Sequence, residues 1–204
     1  MTERPRMAQI LGSVIFYPFF LAGSFLLLQF QQAHGAVLGK DLDHLDPLGL
    51  LLFLLGALAA CGAAWLLVQP ARITWYSGLW WPYPLLGLGF LTKIFTLPAA
   101  QVVVSLPFYL FVIAFTGEFI FRGCLEEGLT PLGPRTAPLL IGLLFGLSHL
   151  PLSLMHGMAL PLAVAGNLLI GPVAHLLFRW LRDRGGLALS IVVHGLLHFL
   201  GVGS

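Results

Sequence analysis

PLGLLLFLLGALAACGAAWLLVQ, residues 47–69, is an apolar stretch without a charged side chain. A transmembrane helix needs about 20 predominantly apolar residues to cross the hydrocarbon core of a bilayer, and this stretch is long enough. The whole chain of 204 residues is 58% hydrophobic and only 9% charged, whereas soluble domains carry about a quarter charged residues. The sequence therefore predicts an integral membrane protein.

Six further stretches approach the same length and apolar character on both sides of this one. They are residues 8–30, 79–97, 101–127, 137–154, 158–179 and 187–203. The second of them is interrupted by Pro82, Pro84 and Lys93, and the third becomes polar in its last part. We predict an all-α fold, a polytopic membrane helical bundle of about seven to eight transmembrane helices, in one membrane-embedded domain over residues 1–204.

The first apolar stretch follows two arginines and shares this feature with secretory signal peptides. It is longer than the apolar region of a typical signal, and no convincing small-residue cleavage site precedes Gln31. We therefore expect it to be a retained first span.

Basic residues in the connecting segments predict the orientation, because such residues favour the cytoplasmic side. With seven spans they fall on one side of the membrane. They are Arg4, Arg6, Arg72, Arg135, Arg179, Arg182 and Arg184. The opposite side receives residues 40–46, with one lysine and three aspartates, and the loop around His156. The pattern predicts a cytoplasmic N-terminus and a C-terminus on the outside.

Five ionisable side chains lie inside the apolar stretches. They are Glu118, Arg122, His149, His194 and His198. An unpaired charge in hydrocarbon costs between about 2.5 kcal/mol and well over 10 kcal/mol, so such residues normally face the protein interior and one another. At 1.5 Å per residue, the glutamate and the three histidines lie roughly 11 to 18 Å from the predicted cytoplasmic surface. This common depth predicts a single functional site.

The spacing of these residues points to hydrolytic chemistry. Arg122 follows Glu118 by one helical turn, so its guanidinium can keep the carboxylate ionised and fix its orientation. Such a carboxylate can activate water, and a neutral His149 can share that water or carry its proton. His194 and His198 lie on one helix face, where they can donate hydrogen bonds to the oxyanion of a tetrahedral intermediate.

Three segments that carry these residues are similar to the motifs of a known family. Residues 117–123, GEFIFRG, resemble its Glu-Glu-x-x-x-Arg motif, residues 145–149, FGLSH, its Phe-x-x-x-His motif, and residues 194–198, HGLLH, its His-x-x-x-Asn or Asp motif. The family is the CAAX protease and bacteriocin-processing (CPBP) family of intramembrane proteases, also called the ABI family. The resemblance covers residues 116–201, within a motif-bearing core of about 101–203.

The resemblance implies an intramembrane endopeptidase that cleaves a membrane-anchored or membrane-delivered protein. Substrates of this family include prenylated tails, peptide leaders and C-terminal sorting anchors. The implied roles are water activation by Glu118 with Arg122 beside it, assistance by His149, and oxyanion stabilisation by His194 and His198. We expect a bacterial inner-membrane enzyme of protein sorting or maturation, whose partners are the lipid bilayer and a protein or peptide substrate. A net charge of only +2 argues against nucleic acid as a partner.

Two residues depart from the family pattern. Gly117 stands where the family has its first glutamate, which is usually assigned to water activation. Either Glu118 takes over as the base, or Glu126 or Glu127 reaches the site, or the chain is a catalytically inactive, protease-like membrane scaffold. His198 replaces an amide or carboxylate but can still donate a hydrogen bond.

A zinc-dependent intramembrane protease is the nearest rival mechanism. The residues that could supply three nitrogens and one oxygen to zinc are His149, His194, His198 and Glu118. The glutamate that follows the first histidine of the common zinc protease motif is Gly195 here, so we favour a site without a cofactor and place zinc second. We interpret the remaining histidines as packing or loop residues. They are His34, His44, His156 and His175.

Overall fold

The computed structural model of the chain describes residues 3–33, 47–70, 73–78, 82–95 and 99–200. All regular secondary structure in these ranges is helical, which confirms the predicted all-α class. The predicted loop at residues 40–46 and Arg72 lie outside the described residues. Five helices within the described ranges are long and apolar enough to cross a membrane, namely Met7–Leu26, Leu51–Val68, Ser105–Leu132, Thr136–Met155 and Leu160–Phe199.

The α-helices of the described ranges follow one another along the chain with short connections. Their bounds are α1 Glu3–Ala33, α2 Pro47–Val68, α3 Pro82–Ile94, α4 Ala99–Pro107, α5 Phe115–Glu118, α6 Glu126–Leu129, α7 Thr136–Ser148, α8 Leu150–Met155 and α9 Leu160–Phe199. Two π-helical segments, Phe108–Ala114 and Phe119–Leu125, join α4, α5 and α6, and a 3₁₀ turn, Thr130–Leu132, ends the series. We call this continuous helix, residues 99–132, the central run.

The five spans account for six of the seven predicted stretches, because α9 contains the last two. A straight helix of its 40 residues would be about 60 Å long. Instead the backbone breaks at Gly186, whose φ of 79° lies in the left-handed region that favours glycine. The rings of Phe178 and His194, eight residues before and after the break, are only 4.7 Å apart. Helix α9 is therefore a hairpin with a first arm and a second arm, as the sequence predicted.

The turn between the two arms is closed by residues 73–78. The backbone N–H groups of Leu187 and Ala188 donate to carbonyls of this segment at 2.9 and 3.0 Å. These are N–H groups at the start of a helical arm, which have no partner within the arm itself. A Cβ at Gly186 would lie 2.6 Å from the Trp75 carbonyl carbon, so the close approach also requires a glycine.

The predicted stretch at 79–97 differs from the others. It contains α3, which has 13 residues and is about 20 Å long. This is shorter than the roughly 30 Å hydrocarbon core of a bilayer. Pro82 begins the helix, because the fixed φ of proline suits the first helical position. Pro82, which interrupts the apolar stretch in the sequence, is thus the first residue of a short helix.

Polar side chains gather at one end of the bundle, where α1 begins, α2 and the central run end, and α9 turns. Gln9 donates to the carbonyl of Gln69 at 3.2 Å. The Glu126 carboxylate pairs with Arg179 and Arg182 at 3.0 and 2.9 Å. We call this region the polar end. The second arm of α9 starts here and runs away from it, so the start of α1 and the end of α9 lie at opposite ends of the bundle.

Large apolar side chains cover much of the outer surface of α1, α2 and the first arm of α9. Leu26, Leu66 and Leu169 are each at least 70% exposed. Exposed apolar surface of this extent is unusual for a soluble monomer, and it suits helices that face lipid. The chain is accordingly a multi-pass integral membrane protein.

Helix α7 packs against the first arm of α9 through small residues. Gly146 contacts Asn167 and Gly171 so closely that a side chain at that position would overlap their backbone. A Cβ at Gly142 would lie 2.6 Å from the Cα atom of Pro172. Small residues allow such close approach between membrane helices. The contact fixes the end of α7, where His149 follows, against the hairpin.

Candidate active site

Glu118 is the centre of a buried polar cluster. Its side chain is fully buried, and it ends the short helix α5 between the two π-helical segments of the central run. Arg122 Nη1 donates to Oε1 at 3.1 Å, and His194 Nδ1 lies 2.7 Å from the same oxygen. The hydroxyl of Ser190 donates to Oε2. Both carboxylate oxygens are therefore occupied by donors from the central run and the second arm of α9.

The Arg122 guanidinium is held by aromatic rings as well as by Glu118. Its Cζ atom lies 4.1 Å from the centroid of the Phe145 ring and 5.1 Å from that of Phe178. A cation over an aromatic face is attracted by the negative face of the ring. Since these rings come from α7 and from the first arm of α9, Arg122 joins the three elements around the glutamate.

Three imidazoles form a cluster in front of Glu118. His194 and His198 lie one turn apart on the second arm, with their Nε2 atoms 3.1 Å from each other. His149 follows α7 and faces them from the other side. One ring nitrogen from each of the three histidines lies within 4.8 Å of the others. We call this group the histidine cluster. The structure thus brings together all five residues that the sequence predicted, and their catalytic roles stay predictions.

The outer nitrogens of two imidazoles have fixed partners. His149 Nδ1 is 2.9 Å from the carbonyl oxygen of Phe145, and His194 Nδ1 faces the Glu118 carboxylate. A carbonyl and an ionised carboxylate only accept hydrogen bonds, so each Nδ1 carries the proton and donates it. The Nε2 atoms of His149 and His194 then carry no proton and can accept a hydrogen bond, and that of His194 lies 3.1 Å from His198 Nε2.

Aromatic rings enclose the histidine cluster. Tyr109 stacks on His198 with ring centroids 5.9 Å apart and planes only 5° from parallel. Phe178 stacks on His194 at 4.7 Å, and Phe145 meets His149 edge to face at 4.8 Å. These contacts restrict the imidazole orientations and surround the polar atoms with apolar walls.

Gly117 lies directly beside the histidine cluster. A Cβ built at this position would be 3.4 Å from His194 Cε1, an ordinary contact distance. A side chain at position 117 would therefore project against the imidazole. The position at which the family resemblance expects the first of two glutamates is part of the site wall here.

Glu126 and Glu127 occupy a different place from the histidine cluster. Both line a cavity of about 770 Å³ at the polar end. Glu126 is bound there by two arginines of α9. Arg122 also lines this cavity, and its carbonyl accepts a hydrogen bond from Arg182 there at 3.0 Å, while its buried guanidinium pairs with Glu118. His156 is exposed in a turn, and His175 is buried in the first arm outside the histidine cluster.

Sequence reasoning did not select Ser190, although a signal was present. Ser190, His194 and His198 follow one another at intervals of four residues, so they share one helix face. Phe145 begins the segment that resembles the Phe-x-x-x-His motif, but its contact with Arg122 gave no such signal, and Phe178 is one of many aromatic residues in apolar helices. Their role depends on tertiary packing.

The comparisons with known proteins agree with the motifs. No curated protein and no solved structure matches the chain. The sequence matches the family model described as type II CAAX prenyl endopeptidase, Rce1-like, over residues 99–200, which is half of the chain. The matched region contains the central run, α7, α8 and α9, and therefore every residue of the candidate site. The chain belongs to the Rce1-like family of CAAX membrane endopeptidases, which confirms the family expected from its three motifs.

Proposed function

We propose that this protein is an intramembrane endopeptidase that hydrolyses a peptide bond at the histidine cluster. The observation that carries the proposal is the hydrogen bond between Glu118 and His194. It joins a fully buried carboxylate to an imidazole whose Nε2 atom lies 3.1 Å from that of His198, in a cluster that also contains His149. Membership of a protease family supports the same reaction class.

The glutamate in this proposal acts through an imidazole. Both Glu118 oxygens already accept hydrogen bonds, from Arg122, His194 and Ser190. The carboxylate holds the Nδ1 proton of His194 and leaves its Nε2 lone pair to act in the cluster. A carboxylate that fixes the tautomer and orientation of a histidine is an established arrangement in hydrolases. Hydrolysis is thus glutamate-dependent, and water is activated at the imidazoles.

We propose a membrane-anchored or membrane-delivered protein as the substrate. The family description names prenyl endopeptidases, and a C-terminal sorting anchor or a leader peptide would reach a buried site from the same membrane. We favour sorting or maturation of membrane proteins in a bacterial inner membrane. The N-terminus is then cytoplasmic, and the C-terminus lies outside.

The experiment is a cleavage assay with purified protein in liposomes and three matched substrates. One carries a prenylated C-terminal tail, one the same tail without the prenyl group, and one a transmembrane C-terminal anchor. Wild type should cleave at least one of them, and His149→Ala should not. Cleavage of the anchored substrate alone supports the sorting role, whereas cleavage that requires the prenyl group supports a prenyl-protein role instead.

The inactive scaffold is tested by the same assay with one further variant. Gly117→Glu restores the glutamate that the family pattern expects, at a position that faces His194. If wild type cleaves none of the substrates and Gly117→Glu cleaves one, the natural chain is a scaffold and our proposal is wrong. Cleavage by wild type rejects the scaffold.

A further inference from the structure

The inward-facing nitrogens of the histidine cluster have the separations of a nearly formed metal site. The Nε2 atoms of His194 and His198 are 3.1 Å apart, and a nitrogen of His149 lies within 4.8 Å of the others. Zinc–nitrogen bonds of 2.0–2.1 Å in a tetrahedral site place the nitrogens about 3.4 Å from one another. The limit of 4.8 Å exceeds that separation by only about 1.4 Å.

Two of the three histidines have the outer partner that a metal-binding histidine needs. A histidine that binds a metal almost always donates its other N–H to a carboxylate, a backbone carbonyl or water. His194 does so to Glu118 at 2.7 Å, and His149 does so to the Phe145 carbonyl at 2.9 Å. In both histidines the Nδ1 partner selects the tautomer whose Nε2 lone pair is free to bind a metal.

Glu118 lies behind the imidazoles and is not itself among the inward-facing donors. Its two oxygens are used by three other donors. The ligand set is then three nitrogens with one open position, the arrangement typical of catalytic zinc sites rather than structural ones. The charge of Arg122 is balanced by Glu118 at 3.1 Å, so this pair adds no net charge beside the cluster.

We propose that His149, His194 and His198 bind one zinc ion, with Glu118 as the outer partner of His194. The use of this ion rests on the proposed peptidase function. Water at the open position gives up a proton, its oxygen bonds to the peptide carbonyl carbon, and the amide nitrogen takes up a proton as the C–N bond breaks. The two departures from the family pattern, Gly117 and His198, are then related. Gly117 removes a carboxylate that would activate water, and His198 supplies the third nitrogen ligand to a zinc ion that would activate it instead.

The test is metal binding by the full chain in detergent. Protein stripped with a chelator is titrated with Zn²⁺, and bound zinc per chain is measured by elemental mass spectrometry. Wild type should bind one zinc. His198→Asn should bind at least about 100-fold more weakly, and Glu118→Gln about 10- to 100-fold more weakly, the usual cost of losing an outer partner. His156→Asn, in an exposed turn, is the matched control and should bind as wild type does.

Two readouts keep the result independent of folding and of activity. Zinc should raise the thermal unfolding temperature of wild type but not of His198→Asn, because a ligand stabilises only the state that binds it. Wild type without stoichiometric zinc, or His198→Asn with unchanged affinity, would overturn the metal site. Cleavage by zinc-free protein would overturn the role of the ion in hydrolysis but leave the peptidase proposal intact. Zinc bound without any cleavage would support the site and count against the peptidase.

Discussion

Three donors converge on Glu118 inside apolar helices, and they make its chemistry depend on its neighbours. A buried carboxylate with both oxygens occupied has little capacity to bind water directly. Its influence passes through His194, the one donor that also belongs to the histidine cluster. We therefore propose that Glu118 is a positioning residue that acts through His194.

Glu118→Gln should lower the cleavage rate by about 10²- to 10⁴-fold, the range of general acid–base effects. The amide cannot balance the charge of Arg122 or hold the Nδ1 proton of His194 as firmly. The rate is measured on purified protein in liposomes. Glu127→Gln, at the polar end, is the control and should retain most of the activity. Full activity in Glu118→Gln would remove the glutamate from the mechanism.

Arg122→Lys should lower stability although the charge is kept. The ammonium can still pair with Glu118, but it loses the stacking of a planar guanidinium between Phe145 and Phe178. A desolvated cation–π contact contributes about 1–2 kcal/mol, so thermal denaturation in detergent should shift down by about 2–8 °C. Arg184→Lys provides the control, because Arg184 is exposed and lies 5.3 Å from the Trp180 ring. An equal or larger shift there would contradict the buried clamp.

The sequence predicted the members of the site better than their arrangement. Ionisable side chains in apolar stretches are costly, and this local fact was enough to select Glu118 and the three histidines. Their hydrogen bonds depend on how three elements pack. For that reason Ser190, and the position of Glu118 behind His194, emerged only from the structure.

Two elements bring the site together, the central run and the α9 hairpin. The π-helical segments on both sides of Glu118 change the faces that the central run presents. Such segments are frequent at functional sites. The hairpin places Ser190, His194 and His198 opposite this region. The hydrophobic stretches predicted the two arms, since length and apolar character are local properties. They did not predict the π-helical segments, because an apolar sequence has no feature that marks such a change in helical pitch.

Gly186→Ala should destabilise the hairpin and lower activity. Backbone with positive φ and ψ near 180° is essentially restricted to glycine and costs another residue about 1–3 kcal/mol, and a Cβ here would also lie 2.6 Å from the Trp75 carbonyl carbon. Gly157→Ala is a close control, because Gly157 has φ 78° but no neighbour within 4 Å of the added Cβ. Thermal denaturation should show a clearly larger loss for Gly186→Ala. Equal losses would mean that the contact with residues 73–78 contributes nothing.

At the scale of the whole molecule, the start of α1 and the end of α9 lie at opposite ends of the bundle. The basic residues of the connecting segments predict that the polar end faces the cytoplasm. A green fluorescent protein fused after Ser204 should then be non-fluorescent in a bacterial host, and an alkaline phosphatase fused there should be active. The reverse pattern would place the C-terminus in the cytoplasm and reject the proposed orientation.

Hydropathy predicted the membrane helical bundle correctly, but it did not predict the short helix α3 within the stretch 79–97. A membrane bundle follows from composition alone, because 58% hydrophobic and 9% charged residues exclude a typical soluble domain. The bounds of the short helix that begins at Pro82 did not follow from composition. Hydropathy detects an apolar stretch, but it does not determine where a helix within that stretch begins.

The most direct test of the central claim is isotope incorporation during cleavage. Purified wild type in liposomes is incubated with its substrate in H₂¹⁸O, and both products are analysed by mass spectrometry. The account predicts two complementary fragments, with ¹⁸O in the new C-terminal carboxylate, and no fragments from His149→Ala. Intact substrate with wild type, or equal cleavage by His149→Ala, would contradict a hydrolytic site at the histidine cluster.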